Sequence, residues 1–127
     1  MALYADIIEI VTPSQAASGS KVDITVKIKN TYSAVISIMV GGALEYGVTP
    51  WPGIDFPENW ANVDAGTTKA FSGSFVMPDS KVTIHAYSYW YGADGSWHFD
   101  DELLKVVNLA TLTPQVSEFQ ISDFYKV

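Results

Sequence analysis

The sequence predicts an all-β chain folded as a two-sheet antiparallel sandwich. Three observations predict it. Residues 21–30, KVDITVKIKN, alternate without exception: Val22, Ile24, Val26 and Ile28 are apolar, and Lys21, Asp23, Thr25, Lys27 and Lys29 are polar. A period of two marks a strand with one buried face. No long segment shows helical periodicity. About seven strand-like runs follow one another at regular spacing, divided by Gly, Pro and Ser turns.

Taken in order, residues 5–11 (ADIIEIV) form the first strand, with Ile7 and Ile8 mixed among Asp6 and Glu9. That mixture suits an edge strand or one covered on both faces. Residues 13–20 (PSQAASGS) are turn material. After the 21–30 strand and a turn, residues 34–41 read as a strand nearly apolar on both faces, ended by Gly41-Gly42. Over 43–66 the alternation is lost. This segment holds Pro50, Pro52 and Pro57 with Tyr46, Trp51, Phe56 and Trp60. A loop of that length is either functional or carries a short strand, for which 44–48 is the candidate. Residues 67–77 set Phe71, Phe75 and Met77 on one face. Residues 81–91 set Val82, Ile84 and Ala86 against Thr83, His85, Tyr87, Tyr89 and Tyr91. Asp94-Gly95 is a hairpin pair, and 97–109 returns with imperfect alternation that a bulge near 100–102 would explain. In immunoglobulin order the strands are A (5–11), B (21–30), C (34–41), a short C′ (44–48), E (67–77), F (81–91) and G (97–109). Residues 1–110 are the sandwich, and 111–127 are a linker plus a strand-like extra segment. In that tail SDFYKV echoes ADIIEI of the first strand. Such a tail begins a next module, pairs with a neighbouring chain, or folds back on its own sheet.

A chain of 127 residues with 48% hydrophobic content can bury a core as one domain. The formal charge is −7, and the seven basic residues are all lysine. An acidic chain without arginine argues against nucleic acid and against anionic membranes. No apolar run approaches the roughly 20 residues of a membrane-spanning helix. The opening MALYADIIEI lacks the basic region of a signal peptide.

The frame ADIIEIVTPSQAASGSKVDITVKIKNT, followed by AGTTKAFSGSFVMPDSKVTIHAYSY, resembles the Ig-like/fibronectin-III-like sandwich modules of bacterial, archaeal and phage surface proteins. It is similar in layout to the cell-adhesion-related domain found in bacteria. FVMPDSKVTI is similar to the FxMPxxxVTV turn of secreted repeat modules. The resemblance covers residues 5–109 except 43–64. It implies an Ig-like sandwich that serves as spacer, adhesive unit or decoration on a cell surface or virion, with no catalytic residues. The antibody-type Cys, Trp, Cys signature is absent, since the chain has no cysteine. Absence of cysteine fits a reducing compartment too, so a cytoplasmic location stays open.

Candidate binding residues are the aromatics Trp51, Trp60, Tyr87, Tyr89, Trp90 and Trp97, which would stack on sugar rings or anchor a protein interface. Asp55, Glu58, Asn59 and Asn62 lie near them in sequence. The alternative is that the long loop packs its own aromatics over the sandwich. Candidate assembly residues are Phe119, Ile121, Phe124 and Tyr125 of the tail. Asp94, Asp100, Asp101 and Glu102 form a weak calcium candidate without the DxDxDG spacing, and solubility explains them equally well. His85 and His98 with Asp100 are a fainter zinc candidate. No motif fixes a hydrolase arrangement. The expected function is non-enzymatic and cofactor-free, acting through association with another copy or a neighbouring subunit. Carbohydrate binding through loop aromatics is the alternative.

Overall fold

A computed structural model describes residues 2–110. It contains β1 (Ala5–Val11), β2 (Gln15–Ala16), β3 (Lys21–Asn30), β4 (Ile36–Glu45), β5 (Trp60–Val63), β6 (Thr68–Val76), β7 (Val82–Tyr91) and β8 (Trp97–Leu109). The strands make two sheets, ordered β1-β3-β6 and β2-β8-β7-β4-β5. Neighbours are antiparallel except β2, which runs parallel to β8. This is the Ig-like sandwich expected from the sequence.

The inner row of β3 is the middle of the core. Val22, Ile24, Val26 and Ile28 are all buried, together with Phe71, Phe75, Ile38, Val40, Ile84 and Ala86. Each such side chain contributes about 1.5–3 kcal/mol when removed from water. The mixed pattern of β1 comes from a bulge: Ile7 pairs with Ile28 and Glu9 with Lys27, so Ile8 is the extra residue. Ile7 and Ile10 therefore point inward while Ile8 is exposed.

Three boundaries differ from expectation. The 34–41 strand does not stop at Gly41-Gly42. It continues to Glu45, paired throughout with β7, and glycine at 42 leaves room for Ile54, whose Cδ1 lies 2.8 Å from the position of a Cβ. The separate strand at 44–48 therefore does not exist, and the short strand of the long segment is β5. Part of the turn over 13–20 is strand as well: Gln15–Ala16 crosses to the second sheet and pairs with Asn108–Leu109.

The remaining long segment closes one side of the sandwich. Leu44 N–H donates to Pro52 O at 2.9 Å and Ile54 N–H to Gly42 O at 3.0 Å, which seats residues 52–54 on the edge of β4. Asp55 then exchanges backbone bonds with Ser74 of β6, at 3.2 and 3.0 Å. Gly73 permits that approach, since a Cβ there would lie 2.6 Å from Asp55 O. Phe56 enters the core.

The opposite side is closed by carboxylates. β8 has the bulge expected near 100–102: Ser88 pairs with Asp101 and Tyr89 with Phe99, leaving Asp100 over. Asp100 accepts from the backbone N–H of Leu3, Tyr4 and Ala5, at 2.6, 2.8 and 2.6 Å. Asp101 accepts from Ile7 N–H at 3.0 Å. These bonds occupy the free edge of β1, which would otherwise invite another strand.

Candidate functional site

Alternation sends one set of side chains from each strand of the larger sheet to its outer face. From β5 comes Trp60, from β4 Ser37, Met39 and Glu45, from β7 His85, Tyr87, Tyr89 and Tyr91, and from β8 Trp97, Phe99, Glu102 and Leu104. The bulge at Asp100 keeps Phe99 and Glu102 on the same side. The rings interlock edge to face: Tyr87 with Phe99 at 6.1 Å, Tyr89 with Phe99 at 5.8 Å, and Tyr91 with Trp97 at 5.1 Å. Gly41 lies under Tyr89. The surface stays open to solvent, with Trp60 55% and Phe99 57% exposed.

At one end of this face Ser37, Met39, Asn59, Trp60, Tyr91 and Trp97 line a cleft of about 420 Å³. None of the six carries a charge. Ser37 Oγ donates to Asn62 Oδ1 at 2.6 Å.

Further along the face stands a group that sequence reasoning missed. The side chain of His85 is only 8% exposed. Its Nδ1 lies 2.7 Å from Glu102 Oε2 and its Nε2 lies 2.8 Å from Glu45 Oε1. Trp51 stacks on the imidazole at 4.5 Å with planes 26° apart, and Tyr87 lies beyond at 6.4 Å. Burial pulls the His85 pKa down, but hydrogen bonds accepted by Glu45 and Glu102 and their charges outweigh it, so the net shift is upward from 6.5. Burial pushes the Tyr87 phenol up, with the charge of Glu102 adding to it.

Five of the six expected binding aromatics thus come to this face: Trp51, Trp60, Tyr87, Tyr89 and Trp97. Trp90 does not. It shares its side of β7 with buried Ser88 and closes the end of the sandwich, edge-on to Tyr4 at 5.0 Å and stacked on His98 at 4.5 Å. The strand's own alternation was the signal for that. Of the nearby polar residues, Asn59 reaches the cleft, Asn62 adjoins it through Ser37, and Asp55 is occupied with β6.

The acidic residues of the calcium candidate are dispersed. Asp100 and Asp101 face β1, Glu102 faces His85, and Asp94 bonds His98 at 2.9 Å. That bond, with others from Ser96, holds the Asp94 carboxyl below its usual range. His98 pairs with Trp90 and His85 with Leu104, so the two histidines do not meet. Among the described residues no three His, Asp or Glu side chains are grouped so as to hold a metal, and no helix is long and apolar enough to cross a membrane. Phe119, Ile121, Phe124 and Tyr125 lie outside the described residues.

No family model and no curated protein matches the chain. Solved structures do. The segment of Escherichia coli alpha-2-macroglobulin from domain MG7 to the C-terminus aligns with TM-score 0.61 and 14% identity over 87% of this chain and 17% of that one. A CARDB domain from Pyrococcus furiosus, in complex with di-metal ions, aligns with TM-score 0.58 and 11% identity over 84% of this chain and 90% of that one. An alkylpurine DNA glycosylase of Pseudomonas fluorescens bound to abasic-site DNA aligns with TM-score 0.58 and 11% identity over 83% of this chain and 30% of that one. The chain spans under a third of the glycosylase and of the macroglobulin. What the three share with it is the fold, an Ig-like β-sandwich.

Proposed function

We propose that this chain is a non-enzymatic structural or adhesive module of a surface or virion assembly, and that it works by protein–protein association through the outer face of β8-β7-β4-β5. One observation carries the reading. Trp60, Tyr91, Phe99, Leu104 and Val106 are all exposed, and they belong to one side of that sheet. A set of exposed aromatic and apolar side chains on one face of a small domain marks an interaction surface, and aromatic anchors dominate such surfaces.

The partner is a second copy. At a net charge of −7 two chains repel over most orientations. On this face the ion pairs of Glu45 and Glu102 are both with His85. Of the nearby lysines, Lys105 of β8 turns to the other side, where its Nζ donates to Ile10 O at 3.2 Å, and Lys81 stands at the margin of the face beside Glu45. Two copies therefore meet there with little unpaired charge to desolvate. Exchange of the 111–127 tail as an added strand is a further route to the same association. Light scattering on the full chain and on a chain ending at residue 114 tests both. A concentration-dependent dimer or larger species is expected. If the full chain stays monomeric at every concentration, the reading is overturned. Association lost only on truncation moves the contact from the sheet face to the tail.

A second reading, carbohydrate binding, has the uncharged cleft in its favour. Trp60, Tyr91 and Trp97 offer ring faces, and Ser37 and Asn59 offer hydrogen bonds, to a neutral sugar. Fluorescence titration with neutral oligosaccharides, on the natural chain and on Trp60→Ala, decides it. Saturable quenching lost in the variant supports the reading, and a flat response to every oligosaccharide removes it.

A further inference from the structure

We propose that His85, held between Glu45 and Glu102 beneath Trp51, is a proton-operated latch: the imidazolium fixes Trp51 and the 47–51 segment against the sheet, and loss of one ring proton to solvent releases them. This goes beyond the association reading and does not depend on it.

With both acids ionised, the geometry calls for a charged ring. A carboxylate only accepts hydrogen bonds, and a neutral imidazole has a single N–H. Both ring nitrogens lie within hydrogen-bond distance of a carboxylate oxygen, at 2.7 and 2.8 Å. Only the imidazolium donates to both. Deprotonation sets a nitrogen lone pair against a carboxylate at that distance, and one of the two acids must swing away. Glu45 is the freer, with 47% of its side chain exposed against 38% for Glu102. It also stands at the end of β4, close to where the 47–51 segment begins.

Trp51 is coupled to the same proton. An indole stacked on a cation gains attraction that it loses when the ring is neutral. Its mobility is bounded on both sides, since Tyr46 packs against the core. Pro52 and Ile54 are tied to β4 by backbone bonds, so residues 52–54 stay seated. Trp51 is the last residue before that anchor, so the release is confined to the residues between Tyr46 and Pro52.

The groups that face the imidazole are few. β4 supplies Glu45 and β8 supplies Glu102, with apolar Leu104 paired opposite. β7 itself supplies Tyr87, whose raised pKa keeps it neutral while the imidazole titrates. The loop supplies uncharged Trp51. Lys81 lines a shallow pocket with Glu45 and Gly47, and it is the cation available to Glu45 once His85 is neutral. The upward shift of the His85 pKa agrees with this balance.

The test is a pH titration of the full, isotope-labelled chain by nuclear magnetic resonance, reading the His85 imidazole and the Trp51 indole N–H, with Trp51→Phe to assign the latter. The two signals are expected to share one midpoint above 6.5. Glu45→Gln and Glu102→Gln are each expected to lower that midpoint by about one pH unit. His85→Gln is expected to abolish the indole shift. A Trp51 indole that stays put while His85 titrates overturns the proposal. So does a midpoint at or below 6.5, and both outcomes are read on the natural chain, with Trp51→Phe serving only to assign one signal.

Discussion

The two outer faces of the sandwich are built from the same strand alternation and end up chemically opposite. On the three-stranded sheet β3 presents Lys21, Asp23, Thr25, Lys27 and Lys29, and charge is met by charge: Lys27 pairs with Glu9 at 3.2 Å and Lys21 with Asp23 at 3.8 Å. On the five-stranded sheet the same outward positions hold Trp60, Tyr87, Tyr89, Tyr91, Trp97 and Phe99. Its two acids are bound to an imidazole under an indole. The first face exposes Val11 and Val76 among its charges but, among the described residues, no aromatic ring. The second leaves aromatic rings in water, a standing cost that folding alone does not explain. On the association proposed above, the difference between the faces bears on function, while the core between them bears on stability.

The largest effect is expected where the two sheets are stapled. Asp100→Ala removes the acceptor of three backbone N–H groups at the edge of β1. It should cost about 3 kcal/mol in urea unfolding, since bonds to a charged acceptor are the stronger kind. It also removes the carboxylate from the bulge that keeps Phe99 and Glu102 on one side. If stability is unchanged, the staple is not what joins the faces.

A smaller effect is expected at the aromatic face alone. Trp60→Ala should weaken association about 30-fold, or about 2 kcal/mol, as an anchor residue would. Its unfolding temperature should scarcely change, because Trp60 is more than half exposed. A variant that loses stability instead assigns Trp60 to the fold.

The third effect is on pH dependence. The folded-state pKa of His85 is raised, so its contribution to stability is fully present below 6.5 and is lost as pH rises through the raised value. Unfolding free energy measured on both sides of that window should fall with rising pH, and His85→Gln should flatten the fall. The smallest effect belongs to the charged face. Lys27 and Glu9 are both substantially exposed, so Lys27→Ala should cost less than about 0.5 kcal/mol in the same unfolding experiment.

Much of the architecture was legible because one face of each strand had to be apolar. The row Val22, Ile24, Val26 and Ile28 declared itself, and so did the bulge at Asp100, where the alternation slipped a place. The bulge at Ile8 was hidden, because two adjacent isoleucines read the same whichever one is extra. The course of β4 through Gly42 was hidden too: two glycines end many strands, and here the glycine serves the tertiary approach of Ile54 while β7 pairs on to Glu45. At the site, alternation put His85 beside Tyr87 and Tyr89. It could not bring in Glu102 and Glu45, which stand 17 and 40 residues away and reach the imidazole only through sheet register.

The central claim, that the aromatic face and not the charged one is the working surface, is tested most directly by placing the same charge on each. Sedimentation equilibrium of Phe99→Glu and Ser72→Glu, two exposed positions on the opposite outer faces, makes the comparison. The account expects the natural chain and Ser72→Glu to associate alike and Phe99→Glu to run as a monomer. Equal behaviour of the two variants, or a stronger effect from Ser72→Glu, contradicts it.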